Sequence, residues 1–64
     1  MENKHAHGLV KVPGAAEILG LSKHTIRRYV LERKIPFIKR GNAVRFDPNE
    51  LAQYINERRV AADQ

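Results

Sequence analysis

The 64-residue sequence has no cysteine and no tryptophan, and only two phenylalanines and two tyrosines. Without cysteine, neither a disulfide nor a thiolate metal centre can staple the chain, so packing alone must stabilise it. No apolar run approaches the ~18 residues that a membrane span requires. The opening MENKHAHG carries no apolar stretch of the kind found in a signal peptide. A chain this short buries only ~60 % of the surface its unfolded form exposes and can hardly wall off a dry pocket. There is no nucleophile beside a base, no glycine-rich phosphate loop and no carboxylate pair in an apolar setting, so no enzyme and no cofactor are expected. His5 and His7 stand without a third ligand, and no metal site is expected either. The expectation is a single basic domain, cytoplasmic and without a small-molecule substrate or a membrane partner.

Positive charge, by contrast, is plentiful. Twelve Lys and Arg oppose seven Asp and Glu, for a net charge of +5 and a pI near 10.1. Between Lys23 and Arg45 there are eight basic residues (Lys23, Arg27, Arg28, Arg33, Lys34, Lys39, Arg40 and Arg45) and one acid, Glu32. The stretch carries +7 and the remainder sums to −2. Like charges so close together repel and cost stability, and a polyanion facing them would relieve that cost. A merely solvated basic surface is the plainer alternative.

Local patterns organise the chain. Residues 1–8 are polar and aperiodic and read as a tail, residues 9–59 as the domain, and residues 60–64 as a fraying end. Val10 and Val12 alternate around Lys11, as a strand stub or a lead-in to a helix. Pro13 suits a first helical turn, apolar residues follow at Ala15, Ala16, Ile18 and Leu19, and Gly20 fits a left-handed C-cap. The expected helix is 13–19. Ser22 is an N-cap able to accept the amide proton of His24 or Thr25. A second helix then runs from Lys23 to about Arg33. Ile26, Tyr29 and Val30 face its core side, and Lys23, His24, Arg27, Arg28 and Lys34 face out.

Pro36 ends the helical reading, and the period becomes alternating. Ile35, Phe37 and Lys39 face one way, and Pro36, Ile38 and Arg40 the other. Arg40-Gly41-Asn42 supplies turn chemistry, with Ala43–Phe46 as the returning strand. Asp47-Pro48-Asn49-Glu50 opens a last helix whose apolar stripe is Leu51, Tyr54 and Ile55. The architecture is therefore helix, tight turn, helix, two-stranded hairpin, helix: a small α+β fold.

The segment from Ala15 to Tyr29 resembles a DNA-binding helix-turn-helix. Small Ala16 admits the second helix, Gly20 makes the turn, and Ile26 plugs the angle between the helices. Leu19, Leu21 and Tyr29 complete the apolar patch. Taken with K-I-P-F-I-K-R-G-N-A-V-R-F and D-P-N-E-L-A-Q-Y-I, residues 10–55 resemble the excisionase-type, MerR-like winged helix-turn-helix family. Lys11 and Gly14 stand where members usually carry a Ser or Thr cap and a nearby Glu. The long C-terminal coiled-coil helix of full MerR regulators is absent from the sequence.

The resemblance implies a double-stranded DNA partner, with the second helix in the major groove and the hairpin on the backbone or minor groove. It implies an excisionase-like role in recombination beside an integrase-type recombinase or neighbouring copies on bacterial nucleoid DNA. A small prophage-type transcription regulator is the alternative, and an adaptor docking an acidic protein a more distant one. The implied contacts are Ser22, Lys23, His24, Thr25, Arg27 and Arg28 from the turn and helix, and Lys39, Arg40, Asn42 and Arg45 from the hairpin. Arg27 and Arg28 lead, because a guanidinium can bond guanine O6 and N7 together. Thr25 is equally a cap partner of Ser22, and His24 equally an untasked histidine; the alternatives for one of the two arginines are a plain phosphate clamp or, for Arg28, a pair with Glu32 one turn away. Arg40 and Asn42 are equally plain turn residues. Tyr29 and Phe37 read as core rather than stacking platforms.

Overall fold

Helix ends in this chain are set by local chemistry. A computed structural model describes residues 8–60, and its elements run α1 (Val12–Leu19), α2 (Lys23–Leu31), β1 (Ile38–Arg40), β2 (Ala43–Arg45) and α3 (Pro48–Glu57). The order is the one expected: a small α+β fold of three helices and an antiparallel hairpin, consistent with a winged helix-turn-helix. The expected tail and fraying end lie almost wholly outside the described residues.

Helix α1 begins one residue earlier than expected, and its N-cap position, Lys11, makes no side-chain capping bond. Gly20 ends the helix at φ 70°, ψ 31°, its N–H donated to the Ala16 carbonyl. That left-handed conformation suits a residue without Cβ. Ala15 and Ala16 are buried, but Ile18, expected on the apolar side, is 39 % exposed. It lies ~100° around the helix from Leu19, beyond the inward stripe.

Ser22 caps α2 by accepting the Thr25 amide at 3.0 Å. The helix ends at Leu31, short of the expected Arg33. Arg33 takes φ 58°, its N–H bonds the Val30 carbonyl at 3.1 Å, and the Lys34 N–H bonds the Tyr29 carbonyl at 2.8 Å. These paired bonds form a Schellman ending, with an arginine where glycine is usual. Asp47 caps α3 by accepting the Asn49 amide at 2.9 Å, and Pro48 starts it.

The hairpin register is Ile38↔Arg45, Lys39↔Val44 and Arg40↔Ala43, closed by Gly41 and Asn42. The first strand is shorter than the expected alternation, because paired strand begins only at Ile38 and Pro36 has no amide to donate. Phe46 leaves the hairpin to pair with Val10, exchanging two backbone bonds of 2.8 Å each. This bridge clips the lead-in of α1 to the exit of the wing. Ala15, Ala16, Ile26, Ile35, Phe46 and Leu51 form the buried core, with Leu19, Leu21, Tyr29, Phe37, Val44 and Tyr54 packed around it. α1 packs against both α2 and α3. Tyr29 and Phe37 thus serve the core, as their spacing indicated.

Candidate nucleic-acid interface

Burying Ile26, with Tyr29 and Val30 half-buried, fixes the rotation of α2. The opposite stripe is then His24, Arg27, Arg28 and Leu31, at the i, i+3, i+4, i+7 spacing of one helix face. All four are exposed, as is Lys23 at the first turn.

Charge on this face is unevenly spoken for. Arg28 Nε stands 3.9 Å from a Glu32 carboxylate oxygen, and Lys34 Nζ stands 3.3 Å from the other. Both arrangements are solvent-exposed, so each contributes at most ~1 kcal/mol and yields readily to a stronger anion. Among the described residues, Lys23, Arg27, Arg33, Lys39 and Arg40 form no ion pair. The pairing weighed for Arg28 is present, whereas Arg27 is unencumbered.

Ser22 and Thr25 occupy each other. The Ser22 hydroxyl donates to Thr25 Oγ1 at 2.9 Å while accepting the Thr25 amide, and Thr25 is half-buried. The capping role weighed for Thr25 is realised here. The pair orients the first turn of α2, whose free amides and partial positive charge favour an anion.

The wing cations do not form a single row. Strand alternation puts Lys39 with Val44 on one face, and Arg40 with Arg45 on the other, beside Ile38 and Ala43. Leu9, Ile38, Arg40, Ala43 and Arg45 line one cleft on that second face. Val44 instead closes a cleft of about 320 Å³ with Val12, Arg27, Val30 and Leu31, so Lys39 shares the wing face turned toward α2. Arg45 is half-buried and donates to the adjacent Val44 carbonyl at 2.8 Å. Asn42, at the exposed tip, remains open to solvent.

Two features of this region escaped the sequence reading. Leu31 is 83 % exposed although apolar, and it continues the His24, Arg27, Arg28 stripe. Its i+7 distance from His24 was the available signal. Arg33, counted with the basic stretch, lies past the end of α2 and lines a groove with Lys34, Glu50, Tyr54 and Arg58, whereas Arg27 lines the separate cleft beside Val44. No local pattern distinguishes it from the others. Arg58, for its part, stacks on Tyr54 with its guanidinium 3.8 Å from the ring centre.

A tight helix-turn-helix, an exposed cationic stripe on its second helix and a basic hairpin beside it define a DNA-binding class. The chain belongs to the helix-turn-helix domain family, which matches residues 9–59. Neither the curated proteins nor the solved structures compared with it include a match. It is a DNA-binding helix-turn-helix protein. No helix among the described residues is long and apolar enough to cross a membrane.

Proposed function

We propose that this protein is a sequence-specific duplex-DNA binder of the excisionase type, bending DNA to direct site-specific recombination. Helix α2 enters the major groove and the hairpin lies on the backbone or minor groove. The observation that carries this reading is the exposed stripe of His24, Arg27 and Arg28, with Lys23 at its head and Lys39 on the neighbouring wing face. Arg27 reads a base edge, and Arg28 either joins it or clamps a phosphate after leaving Glu32. His24 donates to a base or phosphate. Ser22 and Thr25 set the helix entry and present its N-terminus to the backbone. Lys39, Arg40, Asn42 and Arg45 meet phosphates or the minor groove, Arg45 after turning from its own carbonyl. The excisionase role, and the recombinase or neighbouring copies it works with, are supported by the resemblance across residues 10–55.

Fluorescence anisotropy against a labelled random duplex, titrated over salt, tests the binding mode. Neutralising about five phosphates gives a slope of roughly −4 to −5 in log affinity against log salt. The slope should flatten in the Arg27→Ala/Arg28→Ala double variant. A folded protein that binds no duplex at low salt would overturn the reading and favour an acidic protein partner. Circularly permuted fragments carrying a selected site then test bending, and absence of position-dependent gel mobility would exclude the architectural role.

A further inference from the structure

Leu31 is the largest apolar side chain held out to solvent on the face that otherwise carries only His24, Arg27 and Arg28. Exposing it wastes burial that a polar residue would not forgo. Its surroundings are apolar as well: the cleft it shares with Val12, Val30 and Val44 has one polar lining residue, Arg27. Leu31 stands one turn beyond Arg27, ~6 Å along the helix axis, or nearly two base-pair steps of ~3.4 Å. In a major groove approached by Arg27, the apolar group offered at a base edge is the C5-methyl of thymine.

We infer that Leu31 is a specificity-determining residue that reads a thymine methyl about two base pairs from the base met by Arg27. The inference rests on the reading that α2 enters the major groove. The cations of the same stripe bring the duplex to this face, and the Val12–Val44 cleft gives the methyl apolar walls. The site therefore combines one charged, hydrogen-bonding reader and one apolar reader on successive turns of a single helix.

The test starts from duplexes with a randomised core, selected separately with the wild type and with Leu31→Ala, whose folding circular dichroism checks. In the wild-type site, each thymine is then replaced singly by deoxyuridine, which removes only the methyl. One replacement should weaken wild-type binding about three- to five-fold, the loss of one buried methyl. Leu31→Ala should bind the thymine and uracil versions of that site equally. Equal wild-type affinity for every uracil-substituted site would overturn the inference, as would a Leu31→Ala protein that keeps the same methyl discrimination. Dimerisation of the wild type but not of Leu31→Ala, measured without DNA by sedimentation, would reassign Leu31 to a contact between copies. If the wild type binds no duplex, the major-groove reading itself fails and this inference falls with it.

Discussion

Replacing Gly14 by alanine sets two physical effects against each other, and the structure decides between them. On helix propensity alone the change is favourable, because glycine inside a helix costs ~0.5–1 kcal/mol relative to alanine. A Cβ built on Gly14, however, stands 2.8 Å from the Val10 Cβ and 3.3 Å from both Val10 methyls. The contact cannot be relieved by rotating the valine, since its Cβ is the nearest atom. Val10 itself is held by the two 2.8 Å backbone bonds it exchanges with Phe46. Forcing such a contact typically costs ~1–3 kcal/mol, which outweighs the propensity gain and leaves Gly14→Ala destabilised by ~1–2 kcal/mol. In a domain this small that shift lowers Tm by ~5–15 °C. Urea titration and thermal melts followed by circular dichroism measure it. The decisive control is Gly14→Ala in a Val10→Gly background: with no Cβ to meet, the alanine should there stabilise. A Gly14→Ala protein more stable than wild type would refute the close approach of the Val10 bridge to α1.

Other substitutions separate the readers of the helix from its scaffold. Arg33→Gly should raise stability by ~1 kcal/mol in the same melts, because an arginine at φ 58° carries the left-handed penalty that glycine avoids. Since Arg33 lies away from the Arg27 stripe, the change should reduce duplex affinity less than Arg27→Ala does; an equal or greater loss would place Arg33 on the DNA. Arg27→Ala should cost ~1–3 kcal/mol of specific binding and relax sequence preference, whereas Lys39→Ala should weaken specific and random duplexes alike. Matching losses on both duplexes at Arg27 would mean that it only positions the helix. Glu32→Gln frees Arg28 without the cost of breaking an ion pair and removes a repelling carboxylate, so it should tighten duplex binding. An affinity unchanged from wild type, measured by anisotropy, would mean that Glu32 neither repels the duplex nor holds a cation back from it.

The elements were legible wherever a residue acts on its near neighbours. Ser22 with the Thr25 amide, Gly20 at a left-handed C-cap and Asp47 ahead of Pro48 are all bonds spanning a few residues, and each was readable from residue type and spacing. The bridge between Val10 and Phe46 was not, because it joins chain segments that only the packing of α1 against α2 and α3 brings together. The tight setting of Gly14 was hidden for the same reason: its close neighbour, Val10, is fixed by Phe46, 32 residues beyond Gly14 in the chain at the exit of the wing. Arg33 also misled, since residue preferences favour continuing a helix through arginine. The Schellman bonds from Arg33 and Lys34 instead turn the chain so that Ile35 reaches the core.

For the interface, helical periodicity was enough to place His24, Arg27 and Arg28 on one face, because Ile26 had to be buried. Counting charge was less informative than knowing which face each charge takes. Of the eight cations between Lys23 and Arg45, Arg28 and Lys34 share Glu32, Arg33 lines the groove against α3, and Arg45 is folded onto its own strand. Lys23, Arg27, Lys39 and Arg40 remain exposed and without an acidic partner, and the pleat of the hairpin turns Arg40 away from Lys39. Only Lys39 among the wing cations then shares the side of Arg27. A duplex lying along α2 would meet Lys23, Arg27 and Lys39 first, and reaching Arg40 requires the wing tip to pass over or into the adjoining groove. The alternation of the hairpin therefore divides its cations between two faces, which composition alone would have treated as a single patch.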